Sequence, residues 1–271
     1  MLNIALGRNF LINAGWITFL LFCAMVFSNC GPSEGAYSTC LQNGDCTSRI
    51  GVKQFSGDIP LSPDSKFWNS PDGPAKKAVE LGPQLMTNPQ WPNPSVQKVL
   101  ISIARTDQQI AVRLEWADDS TDNGLDQSRL YTDQAAVMFP LNSNKEVPPI
   151  TMGAENFPVN IWQWKAVRQV TANEAAKDSG SPISPVEDLN AEGFSTLTHQ
   201  DEQSVSGKGL RTDKGWQVVF KRNRTNSDEH DVQFKGSTPM AVAIWNGGNR
   251  ETNGQKGLAG WILLDFSKTA D

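Results

Sequence analysis

The feature that most constrains the fold is a strict alternation of apolar and polar residues over positions 109–116. Every second residue there is apolar, and these residues are Ile110, Val112, Leu114 and Trp116. Because side chains alternate across a β-strand, the four share one face, and Arg113 and Glu115 take the other. A second apolar segment, residues 99–105, comes just before, separated by the turn-forming Thr106 and Asp107. Together the two segments predict a β-hairpin.

Further short apolar segments predict more strands along the chain. They are residues 79–81, 134–139, 159–164, 215–221, 240–245 and 261–266. A short helical piece is expected at 66–68, after Pro63-Asp64-Ser65, and the polar residues 171–192 predict a long excursion across the surface. Many short strands with few helices predict an all-β fold, an antiparallel β-sandwich with a few short helices and long loops.

The N-terminal residues 1–30 have the pattern of an export signal. Arg8 is their one charged residue, and an uncharged, mostly apolar run follows from Phe10 to Phe27. This pattern predicts a signal peptide, and the length of the run keeps an N-terminal membrane anchor open. Either way the rest of the chain is expected in the periplasm or facing it. Residues 31–57, rich in Gly, Ser, Asn and Thr, are predicted to be a polar tether, with residues 58–271 as the folded domain.

Composition and motifs exclude several classes of function. With a net charge of −5 and no block of lysines or arginines, the sequence lacks the basic patch that nucleic-acid binding needs. The two histidines, His199 and His230, do not fit a zinc-binding spacing, and the sequence has no Gly-x-Ser-x-Gly elbow or phosphate loop. In an oxidising compartment Cys40 and Cys46 are expected to form a small disulfide loop. Without Cys-x-x-Cys-His, any haem must be held non-covalently. We therefore expect no catalytic site on this chain.

Two blocks of sequence carry candidate cofactor contacts. Met152 beside Gly153 is a soft axial ligand type for haem iron, and Trp162 and Trp164 share a strand face that can wall an apolar slot. The second block offers Trp245, Arg250 and Lys256. Read alone, Met152 and the tryptophans also fit ordinary core and turn positions, and Lys256 fits a solvated loop lysine. Other ligand candidates are Met138, Lys165 and Lys221, and the arginines that can pair with haem propionates are Arg168, Arg222 and Arg250.

Over residues 58–266 the chain resembles the haem-binding gamma subunits of type II dimethyl sulfoxide reductase-family enzymes. The group includes ethylbenzene dehydrogenase, dimethylsulfide dehydrogenase, selenate and chlorate reductases and nitrite oxidoreductase. The matching motifs are Leu61-Ser62-Pro63-Asp64 with Trp68, residues 110–118, residues 133–140, Met152-Gly153, and residues 158–165, 215–222 and 241–261. Asn246 departs from the pattern, since an aspartate is expected after Trp245.

The resemblance implies a β-sandwich that binds one haem b, with a methionine and a lysine as axial ligands. Met152 takes the methionine position, and Lys256 stands in the loop where the lysine is expected. It also implies an electron-transfer subunit that works between an iron–sulfur subunit and an external cytochrome or membrane carrier, with the molybdenum chemistry on a separate catalytic subunit. The rival interpretation is an exported carbohydrate-binding or adhesive sandwich module that uses exposed tryptophans and no cofactor.

Overall fold

The computed structural model describes residues 49–124, 131–142, 146–178 and 183–267. The strands within these ranges are β1 (Arg49–Gly51), β2 (Lys53–Gln54), β3 (Lys76–Glu80), β4 (Lys98–Arg105), β5 (Gln109–Ala117), β6 (Gln134–Pro140), β7 (Val159–Lys165), β8 (Val186–Ala191), β9 (Thr198–His199), β10 (Ser206–Thr212), β11 (Gly215–Asn223), β12 (Thr238–Trp245) and β13 (Gly257–Asp265). The helices are α1 (Lys66–Asn69), where Ser65 caps the first turn, and α2 (Ala166–Asp178).

The strands form two sheets that pack face to face. One sheet has the order β1-β13-β12-β6-β7-β8-β9, and the other has the order β10-β11-β5-β4-β2, with β3 also paired to β4. Neighbouring strands are antiparallel except for the pairs β1–β13 and β2–β4. The predicted hairpin is present as β4 and β5, with Ile103 opposite Val112. The prediction of an all-β sandwich is therefore confirmed.

The main hydrophobic core lies between the sheets. The alternating residues of β5, which are Ile110, Val112, Leu114 and Trp116, all belong to it. The opposite face of β5 is also covered, because the segment that leads into α1 lies over it. Arg113 is fully buried there and donates from Nε to the Pro63 carbonyl at 3.0 Å and from a terminal nitrogen to Glu115 at 2.8 Å. The alternation thus predicted that Arg113 and Glu115 share the second face of β5, but it did not predict that Arg113 is buried there.

Residues 171–178 and 183–192 do not form the predicted surface excursion. They include most of helix α2 and all of strand β8, which pairs with β7 so that Ile161 lies opposite Leu189. The polar sequence of this segment gave a wrong prediction for two physical reasons. Helix α2 has no clear apolar face, and β8 carries Glu187 and Asp188, which are buried but have charged or hydrogen-bonding partners.

The folded domain begins earlier than predicted. Strands β1 and β2 lie inside the segment 31–57 that was predicted to be a tether, and Ile50 and Val52 are buried in the core. Short strands at a sheet edge carry too few residues for an alternation to be seen. The export segment 1–30 and the Cys40–Cys46 pair lie outside the described residues and stay predictions. No helix within the described ranges is long and apolar enough to cross a bilayer.

Candidate functional site

A large cavity lies on the outer face of the seven-stranded sheet, away from the core between the sheets. Its volume is about 910 Å³, within the range of about 300–1,000 Å³ that is typical of ligand and cofactor sites. The floor consists of small and apolar side chains from β6, β7 and β12, which are Ala136, Met138, Ile161, Ala241 and Ala243. Loop residues 84, 86–89, 150–152, 194–195, 197 and 252–256 form the walls. An apolar floor under polar loops suits a flat, largely apolar cofactor.

Strand β7 shows which predicted residues reach the cavity. Its Ile161, Gln163 and Lys165 line the cavity, whereas Trp162 and Trp164 point to the opposite side of the sheet. The ring of Trp162 packs at 4.7 Å from Phe139, and that of Trp164 packs at 4.9 Å from Trp216. The prediction that the two tryptophans wall the cofactor slot is therefore corrected. They do share a face, but it is the face that fills the core, where large side chains bury the most area.

Met152 borders the cavity at the tip of a tight turn. Its φ is +67° and that of Gly153 is +80°, so both residues have the left-handed conformation. A side chain at Gly153 would place its Cβ only 2.4 Å from the Phe157 carbonyl oxygen, which explains the glycine. The Gly193 amide donates to the Met152 carbonyl at 2.8 Å and ties this turn to the loop after β8. The thioether is thus presented to the cavity by a backbone that is held from two sides.

Lys256 borders the same cavity from the segment that precedes β13. Its Nζ lies 4.9 Å from the centre of the Trp245 ring, and Trp245 also lines the cavity. Within the described residues no carboxylate pairs with this ammonium. The side chain is partly covered, and burial lowers the pKa of the amine to about 8. A lysine that loses its proton this readily is a suitable nitrogen donor for a metal.

Two buried polar residues that the sequence analysis missed hold the lysine segment in place. Gln84 is 3% exposed, and its amide nitrogen donates to the Gly254 carbonyl at 3.0 Å and to two carbonyls of the loop 84–89. Its amide oxygen accepts from the Met86 and Thr87 amides. Glu251 is fully buried, and its carboxylate accepts from the Asn246 amide, the Trp91 indole and other groups. A glutamine or glutamate in a polar loop carries no pattern that marks it as buried.

Arg250, the arginine that was predicted to contact the cofactor, does not line the cavity, whereas two other basic residues named from the sequence do. Arg250 is exposed, stacks at 5.4 Å on the Tyr131 ring, and does not line the cavity, so the sequence prediction of a cofactor contact is corrected. Lys165 and Arg168 do line it, and both pair with the buried Glu187, at 3.1 Å and 3.2 Å. Arg250 instead follows a turn, with φ of +59°, that carries its side chain outward.

The other candidate residues from the sequence differ in whether they reach the cavity. Arg222 is buried in the core beside Asp231 at 3.0 Å, and Lys221 pairs with Asp58 at 3.1 Å, so neither reaches the cavity. Met138 lies on its floor, on strand β6. Within the described ranges no group of three or more His, Cys, Asp or Glu residues is placed to hold a metal ion. Of the ligand candidates named from the sequence, those that line the cavity are the methionines Met138 and Met152 and the lysines Lys165 and Lys256.

Known proteins resemble this chain in sequence. A family model described as ethylbenzene dehydrogenase matches residues 75–193. The "Putative respiratory nitrate reductase heme subunit ORF7" of Haloferax mediterranei is 30% identical over 214 residues, which cover 77% of this chain and 69% of that protein. The chlorate reductase subunit gamma of Ideonella dechloratans is 29% identical, with 80% and 84% covered. The dimethylsulfide dehydrogenase subunit gamma of Rhodovulum sulfidophilum is 30% identical, with 64% and 62% covered.

Among solved structures, a family 9 carbohydrate-binding module from Caldicellulosiruptor kristjanssonii with cellotriose aligns with a TM-score of 0.43 and 11% identity, covering 80% of this chain and 83% of that one. This likeness is too distant to carry a functional conclusion. The relatives found by sequence do support a family assignment, because this chain is 30% identical to one of them and covers 69% of its length. The chain therefore belongs to the family of non-catalytic gamma subunits of type II dimethyl sulfoxide reductase-family enzymes.

Proposed function

We propose that this chain binds one haem b non-covalently in the cavity, with Met152 and Lys256 as its axial ligands. The observation that carries the proposal is that these two residues, far apart in sequence, border one cavity with an apolar floor. The name of one relative, a nitrate reductase haem subunit, supports the choice of cofactor. When bound, a haem supplies an iron that takes up and releases single electrons.

The residues at the cavity fit this group. The small side chains of the floor leave room for a flat macrocycle, and their apolar surface favours its insertion from water. The thioether of Met152 has no proton to lose. Lys256 must be neutral to bind iron, and its pKa of about 8 makes removal of the proton less costly than for a solvated lysine.

Lys165 and Arg168 are the groups that we assign to the carboxylates of the cofactor. Both stand at the polar end of the cavity, beside Gln163 and Glu187. Their pairs with the buried Glu187 hold the two cations at the cavity wall, where they can also reach an incoming propionate. This arrangement also argues against Lys165 as an iron ligand, because its ammonium already has an anionic partner, whereas Lys256 has none in the part of the chain that the structure describes.

Within a complex, we propose that the chain relays electrons between the iron–sulfur subunit of a molybdenum oxidoreductase and an external cytochrome or membrane carrier. The gamma-subunit names of the chlorate reductase and dimethylsulfide dehydrogenase relatives support assembly with other subunits. Arg8 and the apolar run after it support a periplasmic location, free or anchored through the N-terminus.

The visible spectrum and reduction potential of the haem-loaded full chain test the ligand assignment. Met152→Ala should lower the potential or the haem occupancy, because a soft sulfur ligand is lost. Lys256→Ala should loosen the haem and abolish the spectral transition at which acid displaces the amine. The matched controls are Met138→Leu, which keeps an apolar floor residue, and Lys165→Ala, which removes the paired lysine.

Both controls should keep the parental band positions and the acid transition, and Lys165→Ala should lower only the affinity for haem, because it removes one of the two cations that we assign to the haem carboxylates. If Lys165→Ala abolishes the acid transition and Lys256→Ala does not, the lysine ligand is Lys165. If the purified chain takes up no haem and gives no Soret band, the proposal fails as a whole.

The carbohydrate-binding alternative gains no support from the surface. Sugar platforms need exposed aromatic rings, and of the large apolar side chains exposed within the described residues only Phe194 is aromatic. The others are Leu85, Met86, Ile183 and Leu197.

A further inference from the structure

Three aspartates lie together at one end of the sandwich, outside the haem cavity. Asp118 and Asp122 follow strand β5, and Asp133 precedes β6. They are linked through the Asp122 amide, which donates to Asp133 Oδ2 at 2.8 Å. Asp118 is 4% exposed and Asp133 is fully buried. None of the three carboxylates forms an ion pair with a described residue, and the nearby cation is Arg211.

One carboxylate oxygen of this cluster has no hydrogen-bond partner among the described residues. Asp118 Oδ1 accepts from the Ser120 amide at 3.0 Å and from Asn246 Nδ2 at 3.2 Å, but Asp118 Oδ2 is buried without a hydrogen bond. The nearby Arg211 does not satisfy it, because its guanidinium donates to the backbone carbonyl of Asp118 and to Thr121 Oγ1. A buried carboxylate oxygen without a donor is costly unless something else binds it.

Oxygen atoms from three residues converge beside Gly248. A Cβ built at Gly248 would lie 2.4 Å from Ser120 Oγ, 3.0 Å from Asp122 Oδ2 and 3.1 Å from Asn246 Oδ1, so these oxygens can approach only a glycine. Ser120 Oγ joins the group to the Asp118 carboxylate, because it donates to Asp122 Oδ2 at 2.6 Å and to Asp118 Oδ1 at 3.3 Å, while Asn246 Oδ1 accepts from the Asn249 amide. Asp133 does not contribute an oxygen to this group, because its carboxylate accepts from the amides of Asp122 and Gly247 and from the Trp216 indole.

We propose that a calcium ion binds here, between the side-chain oxygens of Asp118, Ser120, Asp122 and Asn246. All the donors are oxygens, which hard cations prefer over the nitrogen and sulfur ligands of zinc. Carboxylate and hydroxyl ligands at every second residue, as in Asp118-x-Ser120-x-Asp122, are also the spacing of calcium-binding loops. The mixed, irregular donor set suits Ca²⁺ better than Mg²⁺, which requires near-ideal octahedral geometry.

The number of carboxylates sets the strength of the site. Only Asp118 and Asp122 contribute a full negative charge, so we expect a dissociation constant in the range of about 10⁻⁴–10⁻³ M that extracellular modules use. Bound calcium would also offset the repulsion that Asp118 exerts on Asp133, whose pKa is raised to about 7 mainly by burial. Because Asn246 starts the segment that leads to Lys256, the ion would brace that segment against the loop after β5.

Calcium titration of the EDTA-treated, haem-free full chain tests the site by isothermal calorimetry and by the shift of Tm. We expect one ion per chain and a rise in Tm with millimolar CaCl₂ that MgCl₂ does not reproduce. Asp122→Asn, at a half-buried position, should weaken calcium binding by about tenfold or more because it removes one of two charged ligands. Asp119→Asn is the matched control, since Asp119 is an exposed neighbour in the same loop, and it should bind calcium as the wild type does.

Absence of both binding heat and a Tm shift in the wild-type chain would overturn the proposal. So would calcium binding by Asp122→Asn that is as tight as that of the wild type. Ser120→Ala, which removes a neutral ligand, provides a second variant if Asp122→Asn does not fold. None of these measurements uses haem, so a negative result here leaves the cofactor assignment to its own test.

Discussion

Replacement of Lys256 by methionine should make the haem-free chain more stable near neutral pH. Burial lowers the pKa of this lysine from 10.5 to about 8, which at about 1.4 kcal/mol per pH unit amounts to at most about 3.5 kcal/mol of destabilisation while the amine is charged. Solvent screening of this partly covered side chain and the contact of the ammonium with the Trp245 ring, at 4.9 Å, together offset about 1.5 kcal/mol of this cost. Lys256→Met keeps an unbranched side chain, one atom shorter, and removes its charge. We therefore expect a gain of about 2 kcal/mol at pH 7.

The sign of the pH dependence follows from the two states of the chain. The unfolded chain keeps the proton of Lys256 up to about pH 10.4, whereas the folded chain releases it near pH 8. Between these values the unfolded state binds more protons, so the free energy of unfolding of the wild type rises with pH. Below pH 8 both states carry the proton, and the contribution of Lys256 is constant. Lys256→Met should lack this rise between pH 8 and 10.4.

Guanidinium unfolding of the haem-free wild type and variant from pH 7 to 10.5 measures the difference directly. Other groups titrate in this range, but they cancel when the two curves are subtracted. Lys177→Met, at an exposed position of helix α2, is the control and should follow the wild-type curve. Parallel curves for wild type and Lys256→Met would refute the reasoning that this lysine is held in a costly, desolvated place.

Three further outcomes are expected. Gly153→Ala should lower the free energy of unfolding by about 1–3 kcal/mol, because φ is +80° and the new Cβ would lie 2.4 Å from the Phe157 carbonyl oxygen. Chemical unfolding should show a smaller loss for the control Gly57→Ala, where φ is +84° but no atom lies within 4 Å of the new Cβ. Gln84→Ala removes the bonds that join the loop 84–89 to Gly254, so limited proteolysis should cut these loops faster than in the wild type. Fractionation of cells that express the full chain should recover it on the periplasmic side, and intact chain in the cytoplasm would contradict the export prediction.

The strands could be predicted from the sequence because burial on one face leaves a period of two. The alternation at 109–116 became β5, and the segments at 134–139 and 240–245 became β6 and β12. The same period shows that Trp162 and Trp164 share one face of β7. It does not show whether this face points to the core between the sheets or to the cavity. That choice is made by the second sheet, which packs on the tryptophan side and leaves Gln163 and Lys165 to the cavity.

The candidate site could be predicted only where a residue type has a chemical meaning by itself. Met152 was proposed because a thioether is an iron ligand type, and Lys256 was proposed from the family resemblance, whereas Arg168 and Lys165 could not be ranked above Arg250 without the position of Glu187. Strand β8 was missed because its acidic pair Glu187-Asp188 is buried by virtue of partners far away in sequence. Gln84 was missed for the same reason, since its partner Gly254 is 170 residues away.

The location of the cavity on the outside of a complete sandwich sets the order in which the protein can mature. Its floor belongs to the outer face of the sheet, while the core between the sheets is filled by side chains alone. The polypeptide therefore does not need a prosthetic group to collapse, and loading can follow folding as a separate, late step. Under the export that we propose for this chain, this order would remove the need to carry the cofactor across the membrane with the polypeptide.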